Sequence, residues 1–82
     1  MADDSVRKMT TDVCRELVTK ALAAKADAER SGSDFDKGRH LAMYDVLSLI
    51  TQQANAFSVD RATIGLADFD PERDLFDSRR KD

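Results

Sequence analysis

The apolar positions of this chain recur at helical spacing in two long stretches, separated by the turn signal Ser31-Gly32-Ser33. The first stretch runs from roughly Ser5 to Arg30. In it Val6, Met9, Val13, Leu17, Ala21, Ala24 and Ala28 share one stripe about 120° wide, and Cys14, Val18 and Leu22 extend one flank. The C-terminal half of that stripe is alanine, so a neighbouring helix can approach closely there. Asp3, Asp4 and Ser5 suit the start of a helix, where free N–H groups and the positive dipole end favour acceptors.

The second stretch runs from roughly Asp34 to Phe57. Ser33 with Asp36 three residues on is a capping-box-like start. Phe35, Ala42, Met43, Val46, Leu47, Leu49, Ile50, Ala54 and Phe57 cover an arc of roughly 160°. That is wide for a two-helix contact and predicts a helix with more than one neighbour. Arg39 and Gln53 point into the same arc. Leu41 and Tyr44 point away from it.

Two helices of about 25 residues, each roughly 37 Å long, joined by a three-residue turn, predict an antiparallel hairpin. The remainder reads as short elements. Ser58 can cap a turn of helix over 59–64, with Gly65 as its stop. Asp70-Pro71-Glu72 opens a second short helix over 71–77, which Leu75 and Phe76 dock on the hairpin. Residues 78–82 are expected to fray. The predicted fold is one all-α domain over 1–82: a long helical hairpin with one or two short C-terminal helices.

Size adds a constraint. A chain of 82 residues hides only about 60% of its unfolded surface, so a monomer is marginal. The apolar arcs also exceed what one hairpin can cover. A homodimer is therefore expected, a four-helix bundle with two-fold symmetry. Its interface is expected among Met43, Val46, Leu47, Ile50, Val18 and Leu22.

Charge and motifs narrow the function. The net charge is −3 with 35% charged residues, a balance that argues against nucleic-acid binding. No run of 18 apolar residues predicts a membrane span, and no basic-then-apolar start predicts a secretory signal. The lone Cys14 cannot form an internal disulfide, which fits a reducing cytoplasm. It reads as a small buried hydrophobe or as a reactive thiol beside Arg15.

Asp36, His40 and Tyr44 stand four residues apart on one helix face. They read as a surface ladder, or as an Asp-oriented imidazole able to act as a base or metal ligand. Asp34, Asp36 and Asp45 have some calcium-loop spacing, but Arg39 occupies the glycine position and Asp45 replaces the usual glutamate. Residues 54–64 have the spacing of a helix-turn-helix turn, with Arg61 as the only base offered. No phosphate-cradling glycine loop, nucleophile elbow or paired-cysteine motif occurs. The expectation is therefore no catalytic residue, no cofactor and no metal. The leading functional reading is a non-enzymatic interaction or regulatory protein, contacting partners through the apolar arc or through Leu41 and Tyr44. The alternatives are a nucleic-acid binder using the turn at 54–64, and a small metal or catalytic protein centred on His40.

The span Gly38–Phe76 carries a pattern in Gly38-Arg39, Tyr44-Asp45-Val46-Leu47-Ser48, Gln53-Ala54 and Ile64-Gly65-Leu66 before Asp68-Phe69-Asp70-Pro71. It resembles a group of small bacterial proteins without an assigned function. That resemblance implies a bacterial cytosolic protein and no site residues.

Overall fold

The computed structural model describes residues 2–76. Helix α1 spans Ala2–Ser31 and helix α2 spans Asp34–Ala56; they pack side by side as an antiparallel hairpin. Helix α1 has 30 residues, about 45 Å of rise, which matches the 45 Å long axis of the molecule. A 3₁₀ turn follows at Arg61–Ile64 and a π-type turn at Glu72–Phe76. Among the described residues there is no strand.

The hairpin turn is set by local chemistry. Gly32 adopts a left-handed conformation (φ 67°) and its N–H returns to the Ala28 carbonyl at 2.9 Å, ending α1. Ser33 caps α2 by accepting the Asp36 N–H at 3.1 Å. The Asp36 carboxylate does not complete the capping box; it accepts the Ser31 hydroxyl at 2.6 Å and so ties the two helix ends together. That bond is the main reason the Asp36 carboxyl lies below its ordinary pKa.

The far end of α2 differs from the sequence expectation. Ser58 does not cap a following helix. It sits left-handed (φ 57°) as the stop of α2: its N–H bonds the Asn55 carbonyl and the Val59 N–H bonds Ala54 at 2.7 Å. This is the double-bonded helix end that usually takes glycine. Asp60 then caps the 3₁₀ turn by accepting the Ala62 N–H. The second short element starts as expected, with the Asp70 carboxylate accepting the Glu72 N–H at 3.0 Å. The expected fraying of 78–82 falls outside the described residues.

The hairpin interface is built on an alanine row. In α1, Cys14, Ala21, Ala24 and Ala28 are buried, and Leu17, half-exposed, packs against the cluster that holds Cys14 and Ala21. From α2, Leu47 and Ala54 fill the seam. The remaining large core side chains, Leu66, Phe69 and Leu75, come from the C-terminal segment. After Gly65 the chain therefore runs back along one side of the hairpin.

Gly65 permits that return. It is left-handed (φ 79°) and pressed on α1, so that an added Cβ would stand 3.1 Å from the Thr11 methyl. Gly38 lies inside α2 with open space around it. We expect Gly65→Ala to destabilise the chain by about 1–2 kcal/mol, since a left-handed residue with a Cβ is strained. Gly38→Ala should stabilise it by about 0.5–1 kcal/mol through reduced unfolded-state freedom. Thermal denaturation would show opposite shifts, of roughly 4–8 °C per kcal/mol for a domain of this size.

Candidate interaction surface

The two sides of the hairpin differ in kind. One carries the C-terminal segment, fastened by polar anchors from both helices. From α1, the Thr11 hydroxyl donates to the Thr63 carbonyl at 3.1 Å, and Lys25 Nζ donates to the Asp74 carbonyl at 2.9 Å. From α2, the Tyr44 hydroxyl donates to Glu72 at 2.6 Å. His40 Nε2 lies 2.5 Å from the Leu75 carbonyl, which can only accept, so this nitrogen carries the proton. The Phe76 ring stacks on Tyr44 at 4.4 Å and meets His40 edge-on at 6.0 Å.

This resolves the Asp36, His40 and Tyr44 ladder. The three do not bond one another. Asp36 serves the hairpin turn, while His40 and Tyr44 hold the C-terminal segment. Tyr44 thus packs on the core cluster rather than pointing away from it. Leu41 is exposed on the outer surface of α2, in a helical row with Lys37, Asp45 and Ser48. A lone exposed leucine among polar residues is ordinary.

The opposite side carries no segment among the described residues. At about 100° per residue, α2 has two apolar rows. One holds His40, Met43, Leu47, Ile50 and Ala54 and faces the seam. The other holds Phe35, Ala42, Val46, Leu49, Gln53 and Phe57, and there Phe35 and Phe57 are 77% and 74% exposed. By the same spacing Val6, Met9 and Val13 of α1 project away from Thr11 and Val18, toward this side, and all three are exposed. Seven of the eleven exposed large hydrophobics among the described residues therefore fall on this side. At the open end of the hairpin this face dips into a groove lined by Leu49, Ile50, Gln53, Phe57, Val59 and Ile64, with Gln53 its one polar side chain apart from backbone.

The residues expected at a dimer interface fall into three places. Val46 is exposed on the open face, and Met43 and Ile50 are half-buried at its edge. Leu47 is fully buried within its own chain. Val18 and Leu22 face the other side, where they line a groove with Phe69 and Asp74. Sequence reasoning did not assign Phe35, Leu49 and Phe57 to the interface, although the wide arc contained all three.

One polar pair on the open face is made within the chain. Arg39 reaches across the hairpin and donates to Asp27 at 2.5 Å. Cys14 is 2% exposed beneath α2 and the C-terminal segment, and burial pushes its thiol pKa up, away from the reactive thiolate. Asp34, Asp36 and Asp45 lie in one continuous helix rather than a loop. Among the described residues, no three of His, Cys, Asp and Glu converge on a common point. The helix-turn-helix spacing at 54–64 corresponds to the stop of α2 and a four-residue 3₁₀ turn. None of the helices among the described residues is long and apolar enough to cross a membrane.

Compared with known proteins, the chain matches no family model, no curated protein and no solved structure.

The Tyr44 anchor can be read directly, because the chain has one Tyr and no Trp. The Glu72 carboxylate that accepts the phenol proton raises the pKa of Tyr44; a bond from Ser48 pulls it the other way. A group whose folded pKa is raised contributes stability that is complete below its unfolded pKa and is lost as pH rises through the folded one. An ultraviolet titration of the phenolate should therefore show a midpoint above the ordinary value of about 10. Glu72→Gln should move it back. Equal midpoints in the two proteins would mean that the contact does not form.

Proposed function

We propose that this chain is a non-enzymatic interaction protein whose working surface is the open apolar face of the hairpin. The observation that carries the reading is the segregation of exposed apolar side chains: Val6, Met9, Val13, Phe35, Val46, Leu49 and Phe57 lie together, opposite the side that the C-terminal segment covers. Singly exposed apolar residues are normal, but a contiguous apolar face on a small domain marks a contact surface.

The shape of the face fits another helical surface. Its apolar row on α2 follows the three- and four-residue spacing with which helices interlock, and it stands about 100° from the row used inside the hairpin. A helix with two such rows suits a four-helix bundle, in which each helix touches two neighbours. The role of the polar groups supports a binding rather than a chemical function. His40, Tyr44 and Lys25 are all engaged in holding the fold.

Leu49→Glu tests this reading. Leu49 is 56% exposed, so the substitution should leave the folded chain intact, as checked by circular dichroism and melting. If the face is occupied in solution, losing a leucine from the contact removes about 1.5–3 kcal/mol, roughly tenfold or more in affinity, and the assembly mass falls. If the face is free, the unmodified monomer binds an apolar fluorescent dye and Leu49→Glu abolishes the signal. A monomer that binds no dye and is indifferent to Leu49→Glu would refute the proposal.

A further inference from the structure

We infer that the occupant of the open face is a second copy of this chain, packed α2 against α2 in antiparallel register about a two-fold axis at Val46. This rests on the reading of that face as the contact surface, and adds the partner and its geometry.

The open row of α2, taken with Arg39 and the half-buried Ile50 at its edges, is nearly palindromic about Val46. Phe35 and Phe57 stand eleven residues before and after it, Arg39 and Gln53 seven, and Ala42 and Ile50 four. At about 100° per residue, all six project within about 40° of the Val46 direction. When two such helices run antiparallel and cross at Val46, each position meets its mirror position on the other copy. Phenylalanine meets phenylalanine. Ala42 meets Ile50, small against large, which lets the helices interlock. Arg39 and Gln53, the polar members of the row, meet each other. The Arg39 contact with Asp27 uses one guanidinium nitrogen, which leaves further N–H groups for the Gln53 carbonyl oxygen. The two polar residues that are out of place on a solvated apolar face become partners on a paired one.

Charge points the same way. The ionised residues on the open rows are Glu16, Lys20, Asp27 and Arg39, two of each sign. Identical faces therefore do not repel, and the face lacks the basic excess that an anionic lipid surface would attract. The two-fold axis also lays α1 over α1, and the Glu16–Lys20 turn, near the level of Val46, meets its own copy with acid beside base. Size allows it: the molecule's 45 × 22 Å outline bounds the face at roughly 1,000 Å², above the about 800 Å² per partner of a standard stable interface.

The test combines mass with cysteine mapping in the full chain carrying Cys14→Ala, with folding verified by circular dichroism. The unmodified protein should show twice 9.1 kDa by light scattering at micromolar concentration. Under mild oxidation Val46→Cys should link to itself at least tenfold faster than Leu41→Cys on the outer surface. Arg39→Cys and Gln53→Cys should each link slowly alone and rapidly when mixed. A mass of 9.1 kDa at every concentration overturns the second copy; a dye signal still abolished by Leu49→Glu would then leave the contact surface standing. A doubled mass in which Gln53→Cys links to itself and Val46→Cys does not overturns the register.

Discussion

The alanine row of α1 is the constraint from which the rest of the structure follows. Ala21, Ala24 and Ala28 let α2 approach closely, but small side chains leave α1 unable to fill a core of its own. Bulk must come from elsewhere. Leu47 supplies it from α2, and Leu66, Phe69 and Leu75 supply it from the C-terminal segment. The two long helices are thus insufficient by themselves. The segment after Gly65 is a structural third layer, which explains why the left-handed turn at Gly65 is seated so tightly on Thr11 and Arg15.

That dependence gives the hairpin its two unlike sides. The segment brings apolar side chains and also a backbone whose carbonyls need donors. Thr11, Lys25 and His40 donate to the carbonyls of Thr63, Asp74 and Leu75. The polar residues of the hairpin are drawn to this side because the segment needs them. Among the described residues the other side meets no such backbone; its row on α2 is mainly apolar, and the Asp27–Arg39 pair is its ion pair across the hairpin. A face without polar anchors fits a contact made with side chains.

Much of the fold was legible because its signals are local. Ser33 and Gly32 act within one turn of the helix ends they define, and the hairpin follows from them. What could not be read was which face of each helix meets which neighbour. The wide arc on α2 merges two rows, one buried around Leu47 and one open around Val46. Averaging them put Leu47 and Val46 in one interface and left Tyr44 outside. Tyr44 is placed inward by Phe76 and Glu72, more than 25 residues away, and no local pattern announces that. The stripe on α1 misled similarly. Val6, Met9 and Val13 continue its apolar run but belong to the open side, while the alanines beyond them are buried. Ser58 shows a third limit. A serine between two helical segments can start the second or stop the first, and Asp60, two residues on, takes the cap that was assigned to Ser58.

The two rows of α2 also bear on why the chain tolerates such a small core. A helix that serves one neighbour needs one narrow apolar row and can make the rest of its surface polar. Here the second row is at least as long as the first, running from Phe35 to Phe57, and its aromatic ends are the most exposed large hydrophobic side chains among the described residues. Keeping those rings in water costs solubility and contributes nothing to the isolated fold. Such a row is consistent with a chain whose folded state is completed by association, where burial of the second row supplements the stability that the alanine seam lacks. Folding and partner contact would then be linked: the same α2 carries Leu47 inward and Val46 outward, one residue apart, so a change that rotates the helix alters both together.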